Sequence, residues 1–352
     1  MEPTQLFFVF LSAFLFSFLT TPLVIKFFRS HRWIEDPQEK QKKSGNATAI
    51  KSVPRGGGLP IFLSILVVSL CFIPLDKHLL GIILAAFLAL VVGLFDDVMD
   101  ISPLFRLFTN IIVALVVVAA GIGIAYISNP FGGVINLSQP QLQFNLFGPH
   151  SIWILADILA VFWIVWCMNF IGWSAGVEGQ LPGFVSISAI FIGILGLRSS
   201  TDTTQWPVII LAFTVAGAYL GFLPFNFFPQ KIMPGYSGKS LAGFFLAVLS
   251  ILSGAKLATL VFLLGIPMLD AIFVLIYRIT HHQSPFKPDS NHLHHFLLKR
   301  GWGRRRISIF YWLLCLAFGF LSLFLNSQQK FYVFLGITII FFGITLKFFR
   351  RT

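Results

Sequence analysis

Charge is scarce in this sequence. Only 11% of its 352 residues are Asp, Glu, Lys or Arg, against roughly 25% in a soluble domain. With 57% hydrophobic residues and a mean hydropathy of +0.86, that deficit excludes an ordinary soluble globular protein. Acid is scarcer than base: 13 Asp and Glu stand against 25 Lys and Arg, a formal net charge of +12. Such an excess can mark a nucleic-acid binder, but membrane proteins concentrate Lys and Arg in cytoplasmic loops for topological reasons, so no nucleic acid is expected. There are three cysteines, Cys71, Cys167 and Cys315, each inside an apolar run. Buried thiols are expected there, rather than disulfides or a metal site. The first apolar run, from Leu6, has no basic stretch before it and no small-residue cleavage site after it, so a cleaved signal peptide is not expected. Internal repeats and low-complexity linkers are also missing, and residues 1–352 read as a single domain.

What the chain has in abundance is apolar sequence in runs of about twenty, the length a helix needs to cross ~30 Å of hydrocarbon. A soluble core helix would show an apolar stripe instead. About eleven spans are predicted, near 6–28, 57–75, 79–95, 103–127, 151–171, 183–197, 206–223, 240–255, 257–277, 307–325 and 331–348. With the N-terminus outside, the inner segments hold 21 Lys and Arg and the outer ones 4. That asymmetry sets the orientation and leaves the C-terminus cytoplasmic. Residues 128–150, rich in Gly, Pro, Asn and Gln, read as an outer surface loop. The expected fold class is all-α, a polytopic transmembrane helical bundle in the plasma membrane.

The unusual polar residues then fall on the inner face. Span three ends in GLFDDVMD. Its adjacent carboxylates, Asp96 and Asp97, with Asp100 beyond, repel one another at a membrane border. A divalent cation would relieve that repulsion, and Mg²⁺ is typically held by one or two carboxylates plus substrate phosphates. The alternative is an acidic loop in solvent. The loop after span nine, RITHHQSPFKPDSNHLHHFLLKRGWGRRR, holds five of the eight histidines. Neutral imidazoles could ligate a transition metal. The neighbouring Lys and Arg residues fit phosphate binding better, and a purely topogenic basic loop is the third reading. PRGGG, Pro54 to Gly58, precedes span two, and PFNFFPQKIMPGYSGKSLAG, Pro224 to Gly243, leads into span eight. Gly-rich turns at helix N-termini present N–H groups to anions. GYSGKS lacks the spacing and the preceding strand of a P-loop. After span five, MNFIGWSAGVEGQLPG carries Asn169, Trp173 and Glu178 between glycines. Polar turns at membrane depth need protein or water around them, which points to a cavity. Asp157 and Asp270 are ionisable groups within spans, either site residues or helix–helix hydrogen-bond partners.

Taken in order, these motifs resemble the polyprenyl-phosphate N-acetylhexosamine-1-phosphate transferases, the MraY-like and WecA-like enzymes of glycosyltransferase family 4. Asp36-Pro37 and PRGGG match the first loop. GLFDD and SPLFRL match the acidic motif, with Arg106 where a Lys is usual. GFLPFNFFPQKI, PMLD with Asp270, and PDSNHLHH follow in the same order, and the match runs from about Asp36 to Gly301. The resemblance implies an enzyme in which a lipid phosphate attacks the β-phosphate of a UDP-N-acetylamino sugar and UMP leaves. The product is a lipid-linked precursor for cell-wall or surface-polysaccharide synthesis. It implies Mg²⁺, with Mn²⁺ as the alternative, held by Asp96 and Asp97. Those two residues and His292, His294 and His295 are the implied catalytic set. Asn169, Glu178, Asn226, Lys231, Lys239 and Arg106 are implied to bind substrate. The partners are the UDP-sugar, polyprenyl phosphate and the bilayer, with a homodimer left open. A site facing the cytoplasm follows from the inner-face placement.

Two departures stand out. Where the family reads G-D-x-G-S, this chain has Gly235, Tyr236, Ser237, Gly238 and Lys239, so a phenol replaces a carboxylate and an ammonium replaces a hydroxyl. A neutral phenol is a poor Mg²⁺ ligand. Where the family reads D-G-x-D-G, this chain has Ala175, Gly176, Val177, Glu178 and Gly179. The alternative function is therefore a catalytically silent member that binds lipid phosphate or a partner.

Overall fold

A computed structural model describes residues 3–38, 51–145, 149–198, 205–253, 257–284 and 292–349. Helix α1 (Pro3–Ser30) leads to a short antiparallel pair, β1 (Ile34–Glu35) with β2 (Val53–Pro54). Then come α2 (Gly58–Phe72), α3 (Lys77–Met99) and α4 (Pro103–Ala119). Two hairpins follow, β3 (Tyr126–Ser128) with β4 (Val134–Asn136), and β5 (Gln141–Asn145) with β6 (Pro149–Trp153). The remaining helices are α5 (Ile154–Ser174), α6 (Gln180–Leu197), α7 (Trp206–Asn226), α8 (Gly235–Leu252), α9 (Leu257–Leu263), α10 (Gly265–Thr280), α11 (Leu293–Lys299), α12 (Arg304–Phe324) and α13 (Ser327–Phe349).

The protein is a polytopic helical membrane protein. Among the described residues, eight helices are long and apolar enough to cross a bilayer, and the bent α9–α10 pair makes a ninth. α2 and α4 are shorter apolar helices. Each apolar run read from the sequence contains a helix among the described residues. The core lies where α6, α7 and α8 meet, with Phe184, Tyr219, Phe222, Phe244 and Phe245 almost wholly buried. The outer helices turn large apolar side chains outward instead, among them Leu19 and Leu23 of α1, Phe162 of α5 and Phe324 of α12. That is the surface expected against lipid tails.

Local sequence explains the helix ends. The Asp76 carboxylate accepts from the Leu79 N–H at 2.8 Å and caps α3. Such caps are worth about 1 kcal/mol. Asp100, left-handed at φ 50°, closes the same helix. Ser102 caps α4 through the Phe105 N–H, with Pro103 in the first turn, where its missing N–H costs nothing.

Four expectations need correction. The span predicted over 103–127 stops at Ala119, because Gly121 adopts φ +90° and breaks the helix. The span predicted over 257–277 is two helices bent by 82° at Leu264; Gly265 and Pro267 follow the break, and proline cannot donate a backbone hydrogen bond. Residues 128–150 lie largely in the hairpins rather than in a plain loop. Cys167 and Cys315 are buried as expected, but Cys71 is exposed on the outward side of α2.

Candidate active site

One end of the bundle gathers the ends of almost every element around a cavity of about 1030 Å³. Its volume is at the upper limit of the ~300–1,000 Å³ usual for ligand sites. The β1–β2 pair, the C-terminus of α3 and the N-termini of α4 and α8 build one wall. The segment after α5, the end of α10, and α11 build the other. Ile111 of α4 and Ile158, Val161, Phe162 and Val165 of α5 give the cavity an apolar flank running along the helices.

Arg55 is the hub of the first wall. Its guanidinium lies 2.7 Å from Asp100, 3.4 Å from Glu35, 3.6 Å from Asp96 and 3.7 Å from Asp97. Burial works against its charge, but Asp97, Glu35 and Asp100 outweigh it and hold the guanidinium well above its ordinary pKa. Arg106 reaches Asp96 at 2.6 Å. The Asp97 carboxylate accepts from the Ser237 hydroxyl and from the Tyr236 and Ser237 N–H groups. This is why Gly235 must be glycine: it sits at φ +68°, and a Cβ there would run into the Arg55 carbonyl and the Asp97 carboxylate. The Tyr236 hydroxyl donates to Asn110 at 3.1 Å, and Arg106 stacks 5.0 Å from its ring centroid.

On the second wall, Asp270 holds two groups at once. Its carboxylate lies 2.9 Å from His292 Nδ1 and accepts from the Leu293 N–H at 2.8 Å. The His292 and His294 rings lie parallel, 5.6 Å apart, and His295 lies 4.3 Å beyond His294. His294 nests over Gly176, where any Cβ would collide with its ring. Burial, then the neighbouring His295, His292 and Lys239, push the His294 pKa well below its ordinary value, so the ring is neutral.

This architecture carries a family signature along the helices that form it. The family model for glycosyl transferase family 4 matches residues 79–254, half of the chain. The chain belongs to glycosyl transferase family 4. It is 28% identical over 340 residues to a Bacillus subtilis protein named as a probable undecaprenyl-phosphate N-acetylglucosaminyl 1-phosphate transferase, covering 94% of this chain and 87% of that one. It is 29% identical over 322 residues to a Mycobacterium leprae decaprenyl-phosphate N-acetylglucosaminephosphotransferase, covering 83% and 78%. It is also 29% identical over 348 residues to an Oceanobacillus iheyensis phospho-N-acetylmuramoyl-pentapeptide-transferase, covering 93% and 99%.

Within this family 4 member, the predicted site residues fall into three groups. Arg106, Asn169, Glu178, Asn226, Lys239, His292, His294 and His295 line the cavity. Several of them already have partners. Glu178 is held by Arg304 through two 2.8 Å bonds. Asn226 accepts from the Gly179 N–H and donates to Gln230 and the Ile232 carbonyl. Asn169 donates to the Val165 carbonyl. Lys231 is a second case: it is exposed, off the cavity wall and over the Phe225 ring. The chain turns back through Lys231 N–H to Phe225 O at 2.7 Å, which puts Gln230 on the wall instead. The third group is the acidic pair. The Asp96 and Asp97 side chains are 0% exposed and sit behind Arg55 and Arg106, off the wall. Asp157 serves as a helix-start acceptor for the Trp153 N–H, at the hairpin end. Arg55 itself was missed as a site residue; the only sequence signal was a lone Arg inside the PRGGG turn.

The donor set was tested against the Mg²⁺ or Mn²⁺ that the acidic pair suggests. Among the described residues, no three His, Cys, Asp or Glu side chains converge on one point, so an ion would depend on the acidic pair and substrate phosphates. A divalent ion bridging Asp96, Asp97 and substrate would have to displace two guanidinium groups from fully covered carboxylates. The residues present do not fit a resident divalent ion.

Proposed function

We propose that the protein transfers N-acetylhexosamine-1-phosphate from a UDP-sugar to polyprenyl phosphate at the cytoplasmic membrane face, releasing UMP, for cell-wall or surface-polysaccharide synthesis. The observation that carries this reading is one cavity with a cationic, histidine-lined floor and an apolar flank along α4 and α5. A soluble anion and a bilayer lipid with a phosphate head can meet in such a space. The names of the relatives from Bacillus, Mycobacterium and Oceanobacillus support the same reaction class. The cytoplasmic orientation rests on the 21-to-4 distribution of Lys and Arg.

Catalysis here is positioning plus electrostatic stabilisation of phosphoryl oxygens. Arg106 and Lys239 face one side of the bound diphosphate, and His292 and His295 the other. The Asp270 carboxylate fixes the His292 ring, and the acidic pair fixes the two arginines. The lipid phosphate is its own nucleophile: the second pKa of a phosphate monoester is about 6, so it is ionised at neutral pH. The test is UMP release by purified protein given polyprenyl phosphate and a panel of UDP-sugars. UMP release with at least one N-acetylamino sugar, dependent on the lipid, is expected. No UMP with any sugar would leave the silent, lipid-phosphate-binding alternative standing.

A further inference from the structure

Four Lys and Arg side chains line the cavity, Arg55, Arg106, Lys239 and Arg278, and among the described residues Lys239 is the one of the four without a hydrogen bond or ion pair. It lies one helical turn after Tyr236 at the start of α8, half-buried, with its stem against Gly172 of α5. Arg55 and Arg106 are committed to the acidic pair, and Arg304 to Glu178. Among the described residues, no hydrogen bond or ion pair holds the Lys239 ammonium. A half-buried ammonium aimed into a cavity, with no carboxylate within ion-pair distance, is suited to an anion from outside the chain.

We infer that Lys239 is the built-in cation of the diphosphate site and that the protein binds its sugar nucleotide without a divalent ion. The inference rests on the proposed transfer and deepens it. Two independent observations carry it: the unpaired ammonium on the wall, and the acidic pair sealed behind two guanidinium groups where a bridging ion has no access. Tyr236 completes the arrangement by occupying the space beside Arg106 and turning its hydroxyl to Asn110. In the reaction, a lipid phosphate oxygen forms a bond to the β-phosphorus. The bond from that phosphorus to the bridging oxygen breaks, and the oxygen leaves with UMP. Lys239 meets the negative charge that grows on that leaving group, the role a metal ion fills in other phosphoryl transfers.

The experiment uses the full chain in lipid nanodiscs and reads two quantities. The first is UDP affinity by calorimetry, in excess EDTA and in excess Mg²⁺. The second is UMP release under the same two conditions. Wild type is expected to bind UDP within about threefold in either condition and to release UMP in EDTA. Lys239→Ala should weaken UDP binding at least about tenfold, and Lys239→Arg should restore most of the loss. The double exchange Tyr236→Asp with Lys239→Ser, which removes the ammonium and adds a carboxylate, should make UDP binding Mg²⁺-dependent. UDP affinity that rises more than about tenfold when Mg²⁺ replaces EDTA overturns the inference. So does affinity indifferent to Lys239→Ala, and so does UMP release seen only with Mg²⁺. The wild-type comparison stands even if a variant fails to fold. UDP binding as expected, with no UMP from any sugar, overturns the transfer reading alone.

Discussion

The two walls of the cavity are built on opposite electrostatic plans. On the arginine wall, four carboxylates converge on Arg55, and Arg106 neutralises Asp96 from the other side. Nearly every charge there is matched before any ligand arrives. On the histidine wall one carboxylate, Asp270, holds His292 beside His294 and His295, and the buried Nδ1 of His294 has no hydrogen-bond partner. The first wall is closed as a charge network, whose loss should be felt as instability, although both Asp96 carboxylate oxygens, Arg106 Nε and Asn110 Nδ2 are buried there without a hydrogen bond. The second is not closed in charge: one carboxylate faces three imidazoles, which leaves it the wall better suited to an incoming anion.

That contrast can be broken most decisively at Arg55. Arg55→Ala would leave Asp97 without a cationic partner and Asp96 with Arg106 alone. Removing one partner of a buried pair typically costs about 3–5 kcal/mol. The expected outcome is loss of folded protein or a large fall in Tm, read by size-exclusion chromatography and thermal unfolding in detergent. A near-normal Tm would show that the wall is not a closed network. On the opposite wall, Asp270→Asn keeps the shape but removes the charged acceptor, a change worth about 1.5–3 kcal/mol. UMP release should fall by about an order of magnitude while the protein still folds; a normal rate would deny Asp270 its role in orienting His292.

The pH response separates the walls further. His294 is held below the ordinary histidine value, so the unfolded chain takes up this proton first as pH falls. The stability tied to the neutral ring is complete above about pH 6.5 and declines below it, by up to ~1.4 kcal/mol per pH unit. Tm measured from neutral to mildly acidic pH should drop, and His294→Gln should flatten that slope. An unchanged slope would remove the buried neutral ring from the account. The smallest effect is expected at Lys231. Its ammonium lies outside both walls, so Lys231→Ala should change UMP release less than about twofold. A large loss there would mean the wall extends further than drawn.

The helical bundle was legible because bilayer-length apolar runs have no other use. The interruptions were not, since the bend at Leu264 and the stop at Ala119 depend on one or two residues inside otherwise apolar stretches. The site was legible as a place, because its polar residues accumulate at alternate span ends. Its wiring was not. That Arg55 gathers Glu35, Asp96, Asp97 and Asp100 depends on how α3 packs beside α8. That Glu178 spends its carboxylate on Arg304 depends on a helix more than a hundred residues downstream, and that Asn226 accepts from the Gly179 N–H depends on how α7 packs against the turn before α6. That Lys231 lies off the wall was not legible, because the stretch between α7 and α8 has no periodicity to show which side chains turn inward.

Glu178 is gripped by Arg304, the Ser308 hydroxyl donates to the Glu178 carbonyl at 2.6 Å, and the Trp312 indole donates to the Gly179 carbonyl at 3.1 Å. The turn that faces the substrate is thus clamped by a segment made late in synthesis. A nascent chain still awaiting residue 312 has its acidic and cationic groups in the membrane but no shaped turn to complete them. Biosynthesis itself would then leave unfinished copies without a formed cavity.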